Sequence, residues 1–151
     1  MTAKTAHFHL TLLFLNFFCF LSGSAQDLKS HQWKDRLVLI ISNGKDEATF
    51  SKQITLLTQE SGGIEERKIK LYQITPATYC IGLATCKTFD SKKLFVKYSR
   101  PEIPFKIILI GLDGKIKLQG EAPINASDLF TLIDKMPMRK KALVEGINLE
   151  D

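Results

Sequence analysis

Cys80 and Cys86 are the first residues of this chain to consider for chemistry. Five residues separate them, which differs from the C-x-x-C spacing of redox and zinc motifs. Two cysteines so close together in an exported protein most often form a structural disulfide, and closing so short a loop contributes about 2–2.5 kcal/mol. We expect a disulfide, with two free buried thiols or a redox-active pair as the alternatives.

The other residue types that carry chemistry form no catalytic pattern. His31 is the single histidine after residue 25, and no spacing suggests cysteine or carboxylate partners for a metal, so we expect it to be exposed. We expect Trp33 to cover the core as a lid rather than to stack on a ligand. No Gly-x-Ser-x-Gly motif supports a hydrolase triad. The sequence predicts no metal, no cofactor and no catalytic residue.

The start of the chain has the three parts of a secretory signal peptide. A segment with one lysine and no acid precedes a strongly apolar stretch from Phe8 to Leu21, and small residues follow at Gly23 and Ala25. We predict cleavage after Ala25 and export of the protein to the periplasm or beyond. The apolar stretch is shorter than the roughly 20 residues that span a bilayer, and an uncleaved membrane anchor is the alternative.

The remaining residues, 26–151, suit one domain with a core at about residues 30–145. Loss of Lys4 with the signal lowers the formal net charge from +5 to +4. Nucleic acid is a poor partner for an exported protein, and no aromatic residues interleave the basic ones. An anionic membrane surface or polysaccharide and a solvated face are the two explanations left for the basic clusters, which are Lys92, Lys93, Lys115, Lys117 and Arg139 to Lys141.

Two largely apolar runs predict strands that are buried on both faces, Arg36 to Ser42 and Phe105 to Gly111. After the first run, Asp46 predicts the cap of a helix that ends at Ser61-Gly62-Gly63. Lys68 to Ile74 reads as a second strand. Because a helix lies between them, these first two strands are expected to be parallel.

The rest of the chain adds a hairpin and two helices. Residues 75–88 give few signals, and Asp90 to Tyr98 predicts a short helix. Asp113-Gly114 predicts a hairpin turn with positive φ at both central positions. Asn125 opens a last helix that Pro137 ends or kinks. The order β-α-β-α-β-β-α predicts an α/β fold, with helices on both faces of a mixed sheet.

This order resembles the thioredoxin-like fold, and a local pattern strengthens the resemblance. In thioredoxins a Lys-Tyr pair that ends the second helix is followed by Ile-Pro, an apolar strand and an Asn/Asp-Gly turn. Here Lys97-Tyr98, Ile103-Pro104 and Asp113-Gly114 occupy those places. The resemblance implies that Pro104 is the cis-proline of the fold, since only X-Pro bonds adopt cis at low cost.

Three segments, beginning at Gln32, Gly111 and Leu132, are similar to signature segments of the DUDES family. This is a thioredoxin-like domain of unknown function (family 4174) that occurs in exported proteins. The resemblance spans roughly residues 30–145 and implies a fold and an exported setting but no reaction. Its signature residues in this chain are Trp33, Arg36, Asp113, Gly114, Lys117, Met136, Pro137, Met138 and Arg139.

The resemblance also places the thioredoxin active-site turn at Asn43, Gly44, Lys45, Asp46 and Glu47. That reaction needs a thiolate at a helix N-terminus, as does the peroxidase reaction of related peroxiredoxins. No cysteine occurs between Cys19 and Cys80, which excludes both reactions at the usual site. Free backbone N–H groups beside Lys45 could bind an anion, but capping by Asp46 is the simpler expectation.

These observations lead to two hypotheses about function. The first is an exported, non-enzymatic thioredoxin-like domain that binds a protein or an envelope component. The second is a thiol–disulfide or other redox protein that uses Cys80 and Cys86. The oligomeric state is left open, and contact with a membrane is expected only if the signal segment stays uncleaved.

Overall fold

One mixed β-sheet carries the fold in this computed structural model, which describes residues 28–82, 85–88 and 91–144. Its six strands lie in the order β4-β3-β2-β1-β5-β6. They are β1 (Arg36–Ser42), β2 (Ile69–Ile74), β3 (Tyr79–Ile81), β4 (Thr85–Lys87), β5 (Phe105–Ile110) and β6 (Ile116–Gly120).

Helices cover both faces of the sheet. A short 3-10 helix, Leu28–His31, precedes β1. The α-helices are α1 (Glu47–Thr58), α2 (Ser61–Glu66), α3 (Ser91–Tyr98), α4 (Ala126–Asp134) and α5 (Pro137–Val144).

Strand β1 lies in the middle of the sheet and every one of its residues is buried. It runs parallel to β2, with Arg36 opposite Ile69, and antiparallel to β5, with Leu37 opposite Ile110. A strand with neighbours on both sides and helices on both faces has no polar environment to face, which explains its continuous apolar sequence. The predicted parallel pair and the doubly buried strands are confirmed.

Alternate residues of the central strands point to opposite faces and build two cores. On one face, β1 and β5 pack against α1 and α4, with the core residues Val38, Ile40, Phe50, Leu57, Leu129 and Ile133. On the other face, the strands pack against α3, with Leu39, Ile41, Tyr72, Leu94, Phe95 and Ile108. The predicted thioredoxin-like arrangement, with helices on both faces, is therefore present.

Three local predictions need correction. Within residues 75–88, where few signals were found, Tyr79–Ile81 and Thr85–Lys87 pair as β3 and β4 at the sheet edge. Ser61-Gly62-Gly63 does more than follow the end of a helix: α1 ends at Thr58, and Ser61 begins the short α2, in which Gly63 leaves room for the Phe130 ring. Pro137 begins α5 rather than ending α4, which stops at Asp134, since a first helical residue needs no N–H donor.

The predicted β5–β6 hairpin is present, but its turn differs from the expected one. Only Gly114 has positive φ, at 74°; Asp113 does not. The Gly114 N–H donates to the Gly111 carbonyl and the Gly111 N–H to the Lys115 carbonyl, both at 2.9 Å. A three-residue loop with a left-handed glycine at its end is the next most common hairpin connection, and it places the strain where glycine tolerates it.

The prediction that the Ile103–Pro104 peptide bond is cis is wrong. No peptide bond between described residues is cis, so this bond is trans. The trans form is the more stable isomer of an X-Pro bond by about 0.5–1 kcal/mol, and in this loop the Pro104 carbonyl accepts a hydrogen bond from the Asn43 N–H at 3.2 Å.

The predicted signal peptide, residues 1–25, lies outside the described residues, as does Asp90 at the start of the predicted second helix. Among the helices that are described, none has the length and apolar character needed to cross a bilayer.

Candidate functional site

The turn between β1 and α1, residues 43–47, is where the resemblance places the thioredoxin active site, and local side chains bind its backbone. The Gly44 N–H donates to Ser42 Oγ at 3.0 Å, and the Lys45 N–H donates to Asn43 Oδ1 at 2.9 Å. The Thr49 N–H donates to Asp46 Oδ1 at 3.1 Å. The predicted helix cap at Asp46 is thereby confirmed.

The cap has an electrostatic consequence at the helix N-terminus. Hydrogen bonds from the Thr49 side chain and backbone lower the pKa of Asp46, so the carboxylate stays charged at the positive end of the helix dipole. An external anion would have to displace this carboxylate. The geometry therefore favours the capping interpretation over anion binding.

Asn43 joins this turn to the loop that carries Pro104. Its N–H donates to the Pro104 carbonyl, and its Nδ2 donates to the Pro101 carbonyl at 2.7 Å. The loop therefore faces the turn as the resemblance implied, although the proline is trans. The side chain that tethers the two loops is an amide with no nucleophilic atom.

The two cysteines form the disulfide that their spacing predicted. Cys80 and Cys86 are directly opposite each other in the β3–β4 hairpin and are bonded. Cys86 is exposed and Cys80 is half-buried. Neither residue lies at a helix N-terminus, where a dipole would lower a thiol pKa, and β2 separates their hairpin from β1 and its turn. The structure does not bring the disulfide to the thioredoxin position.

His31 is not exposed as expected but is tied between two side chains. Its Nδ1 lies 2.6 Å from Asp35 Oδ2, and its Nε2 lies 2.9 Å from the hydroxyl of Tyr72. The Tyr72 ring is fully buried and meets the imidazole edge-on. Sequence reasoning missed this contact because Tyr72 lies 41 residues from His31; a histidine four residues before an aspartate was the only local signal.

This carboxylate–imidazole–hydroxyl order matches the order of groups in acyl-transfer triads, but its hydroxyl is a poor nucleophile. Burial, with smaller contributions from Tyr79 and Asp35, raises the pKa of Tyr72 to about 12. A buried phenol with a raised pKa neither ionises at neutral pH nor meets a substrate. The trio is therefore a structural tie between the 3-10 helix and β2.

The signature residues Arg36 and Arg139 are buried members of a partly exposed arginine–carboxylate cluster, which we call the arginine clasp (Arg36, Glu66, Arg67, Asp134 and Arg139). Arg67 donates to both carboxylate oxygens of Asp134, at 3.1 and 2.7 Å. Arg139 donates to Asp134 at 3.2 Å and also to Glu66. Three of these members, Glu66, Arg67 and Asp134, had no distinguishing signal in the sequence.

Arg36 is 1% exposed and donates from Nη1 to the Arg67 carbonyl at 2.8 Å. Burial lowers the pKa of Arg36, and the nearby positive charge of Arg139 lowers it further. Its Nε is buried and has no hydrogen-bond partner among the described residues. The arginine clasp links α5 to α2, to α4 and to the start of β2. Its role is therefore structural.

The other signature residues lie just before β1, in the β5–β6 hairpin, or between α4 and the first residues of α5. The Trp33 N–H donates to the Leu112 carbonyl at 2.7 Å, yet its side chain is 62% exposed. The expectation that Trp33 covers the core is therefore wrong. Lys117 Nζ lies 2.7 Å from Asp113 Oδ2. Met136 packs half-buried against the α1–α4 core, whereas Pro137 and Met138 are exposed.

The comparisons with known proteins agree with this geometry. A family model described as "Domain of unknown function (DUF4174)" matches residues 27–142. A solved structure of a reduced 2-Cys peroxiredoxin from Plasmodium vivax is similar over 76% of this chain and 84% of that one, with a TM-score of 0.53 at 10% identity. That similarity concerns the fold. No curated protein matches the chain.

Proposed function

Because the chain belongs to the family of domain of unknown function DUF4174, we propose that it is an exported thioredoxin-like domain that binds a protein or an envelope component and is not an enzyme. Fold does not imply function, so the proposal rests on the site and not on the peroxiredoxin similarity.

The observation that carries the proposal is the state of the turn after β1. Thioredoxin and peroxiredoxin reactions begin with a thiolate at this helix N-terminus. Here Ser42, Asn43 and Asp46 use their side-chain oxygens to hold local backbone N–H groups. The side chains of this turn bind its own backbone N–H groups, and the start of the chain resembles a signal peptide. A scaffold with these two features is suited to binding outside the cytoplasm.

An activity assay tests the non-catalytic part of the proposal. The purified protein should neither accelerate insulin reduction by dithiothreitol nor consume hydrogen peroxide, because no thiolate occupies the turn. Thioredoxin and a peroxiredoxin serve as positive controls. Activity that disappears in Cys80→Ser or Cys86→Ser would refute the binding hypothesis and establish the redox one.

Export and binding need their own measurements. Amino-terminal sequencing of the protein from its native cell should begin at Gln26, and detection of residues 1–25 on the protein would contradict cleavage. Chemical cross-linking in the envelope fraction should then yield a discrete adduct, whereas a protein that stays monomeric there would contradict binding.

The redox hypothesis is retained as a second candidate because the disulfide lies in an exposed hairpin. Attack by an external thiolate on the more exposed Cys86 Sγ would release the Cys80 thiolate and form a mixed disulfide. A structural disulfide should stay oxidised in a glutathione buffer poised near −200 mV. Full reduction under that condition would support the redox candidate.

A further inference from the structure

The end of the sheet opposite the thioredoxin turn carries an exposed aromatic residue on a strained backbone. Trp33 has φ of 66°, a left-handed conformation that costs about 1–2 kcal/mol for a residue with a side chain. The conformation is maintained by its N–H bond to Leu112 and by the Lys34 and Asp35 N–H groups, which both donate to the His31 carbonyl at 2.9 Å.

The strained conformation of Trp33 adds little to the hydrophobic core, because most of its side chain is exposed to solvent. Strained backbone that persists because its surroundings over-determine it is concentrated at ligand-binding and functional sites. Tryptophan is also the residue type most enriched among the energetic anchors of protein interfaces. Both facts point to a binding role for this end of the molecule.

A groove of about 320 Å³ lies at this end of the sheet, and its wall includes Gln32, the chain neighbour of Trp33. The apolar side chains that line the groove are those of Leu28, Leu37, Tyr98, Ile110 and Ile116. The rest of the lining comes from Lys29, Lys97, Asp113 and Gly114. The Gln32 side chain donates to the Asp113 carbonyl at 3.2 Å, which fixes the rim. This volume is at the small end of ligand pockets and suits one or two apolar side chains.

The rim of the groove is basic. Lys29 and Lys97 line it, and Lys34 and Lys115 are exposed next to Trp33 and Gly114 in the chain. The one acid in the lining, Asp113, is neutralised by its ion pair with Lys117. An apolar floor within a basic rim favours an occupant that combines an apolar group with negative charge.

We propose that Trp33 and this groove, together the Trp33 surface, bind an acidic segment of a partner protein that places an apolar side chain in the groove. The inference deepens the proposed binding function and rests on it. A protein segment is preferred to a polysaccharide because the floor is aliphatic and concave, a shape suited to a side chain. It is preferred to a lipid surface because a recessed groove gives a flat bilayer no access to that floor.

Trp33 is the only tryptophan of the chain, so its fluorescence reports directly on this surface. The probe is an N-acetylated hexapeptide with two central leucines flanked by glutamates, titrated into the full-length protein. We expect a saturable change in Trp33 emission that weakens as salt is raised. The matched peptide with lysines in place of glutamates should give no change, and equal binding of the two peptides would overturn the proposal.

Charge reversal provides the matched pair of variants. Lys97→Glu should weaken binding of the acidic peptide about fivefold, while Lys52→Glu, the same change on the exposed side of α1 across the sheet, should leave it unaltered. Fluorescence anisotropy of a labelled peptide extends the comparison to Trp33→Ala, which should lose at least about tenfold in affinity, as expected for an anchor. Equal effects of Lys52→Glu and Lys97→Glu would contradict a localised site.

Other anionic partners are tested with the same readout. Dextran sulfate and phosphatidylglycerol vesicles are titrated in the same way. A change in Trp33 emission with either of them, and none with the acidic peptide, would identify the partner as a polysaccharide or a membrane instead of a protein. An envelope adduct formed equally by wild type and Trp33→Ala would leave the proposed binding function intact and refute only this surface. Loss of the adduct in Trp33→Ala, but not in Lys52→Glu, would support both.

Discussion

At the scale of single residues, Asp134 shows how a carboxylate can be held in an unfavourable place. It is the last residue of α4, where the helix dipole disfavours negative charge. Two guanidinium groups compensate, one from Arg67 and one from Arg139. Burial alone would raise the pKa of Asp134, but the hydrogen bonds from these arginines outweigh it, and the pKa is lowered.

The lowered pKa predicts the acid sensitivity of the protein. Because the folded state holds the Asp134 proton less tightly than the unfolded chain does, this residue stabilises the fold above about pH 4 and loses that effect as pH falls further. Asp134→Asn should lower the free energy of unfolding at pH 7 by about 1 kcal/mol, a figure reduced for partial exposure.

Urea unfolding at pH 7 and at pH 2.5 measures this effect. The difference between Asp134→Asn and wild type should shrink at the lower pH, because the unfolded chain binds the Asp134 proton more tightly than the folded state and is favoured there. Glu102→Gln, a change of the same kind in an exposed loop, should stay within about 0.5 kcal/mol of wild type at both. A difference that does not depend on pH would argue against the ion pairs as its source.

The phenol of Tyr72 gives a prediction at the alkaline end. Its pKa of about 12 exceeds the unfolded value of about 10, so the folded state retains a proton that the unfolded chain releases. The contribution of Tyr72 to stability should therefore be constant below about pH 10 and fall between about pH 10 and 12. Tyr72→Phe should cost about 1 kcal/mol at pH 7, through the lost bond to His31.

Guanidinium unfolding at pH 7, 10 and 11.5 checks this behaviour. The alkaline decline should be shallower in Tyr72→Phe than in wild type. Tyr98→Phe is the matched control, since that residue is half-buried at the end of α3. If Tyr98→Phe flattens the decline as much, Tyr72 is not the group responsible.

At the scale of elements, the β3–β4 hairpin is the part of the sheet that most needs its cross-link. Each strand has three residues, and only β3 pairs with the rest of the sheet, through β2. A short two-stranded unit is marginal in water. The disulfide between paired residues limits the conformations that the open hairpin can adopt, and the Gln73 side chain adds a bond to the Gly82 carbonyl at 2.7 Å.

Removal of the disulfide should therefore loosen the hairpin locally. In Cys80→Ser/Cys86→Ser, amide exchange should accelerate in β3 and β4, while β1 and β5 keep their protection because their pairing and both cores are unchanged. Wild type treated with a reductant should behave like the double variant. Accelerated exchange throughout the sheet would instead assign the disulfide a role in the stability of the whole domain.

At the scale of the whole molecule, the two ends of the sheet are built differently. At the end that carries the β1–α1 turn, Asn43 and Asp46 satisfy local backbone groups and tether the Pro104 loop. At the other end, the chain around Trp33 presents an exposed aromatic side chain, a groove and a basic rim. One end of the sheet thus has backbone groups satisfied by local side chains, whereas the other exposes an aromatic side chain and an apolar groove.

This difference between the two ends of the sheet also explains why proteins of similar fold need not share a reaction. The peroxiredoxin similarity extends over most of both chains at 10% identity, a level at which the arrangement of layers is retained while side chains at the site differ. Local positions such as Asp46 decide whether the helix N-terminus is available to a substrate. Function is therefore set at a few residues on a scaffold that many sequences can form.

The sequence by itself determined the elements whose signals are local. Periodicity and apolar runs identified β1, β2, β5 and the helix capped by Asp46, and the order of elements led to the mixed sheet with helices on both faces. The proximity of Cys80 and Cys86 predicted their disulfide. These features depend on a few neighbouring residues and on burial, which composition along the chain reports directly.

Only the tertiary structure decided the contacts between distant residues. His31 meets Tyr72 across 41 positions and Arg67 meets Asp134 across 67, separations at which no local pattern operates. The exposure of Trp33, the trans bond before Pro104 and the weakly patterned β3–β4 hairpin likewise follow from how neighbouring elements dock. Such outcomes depend on which polar groups become buried and therefore need hydrogen-bond partners. That is decided only when the whole chain is folded.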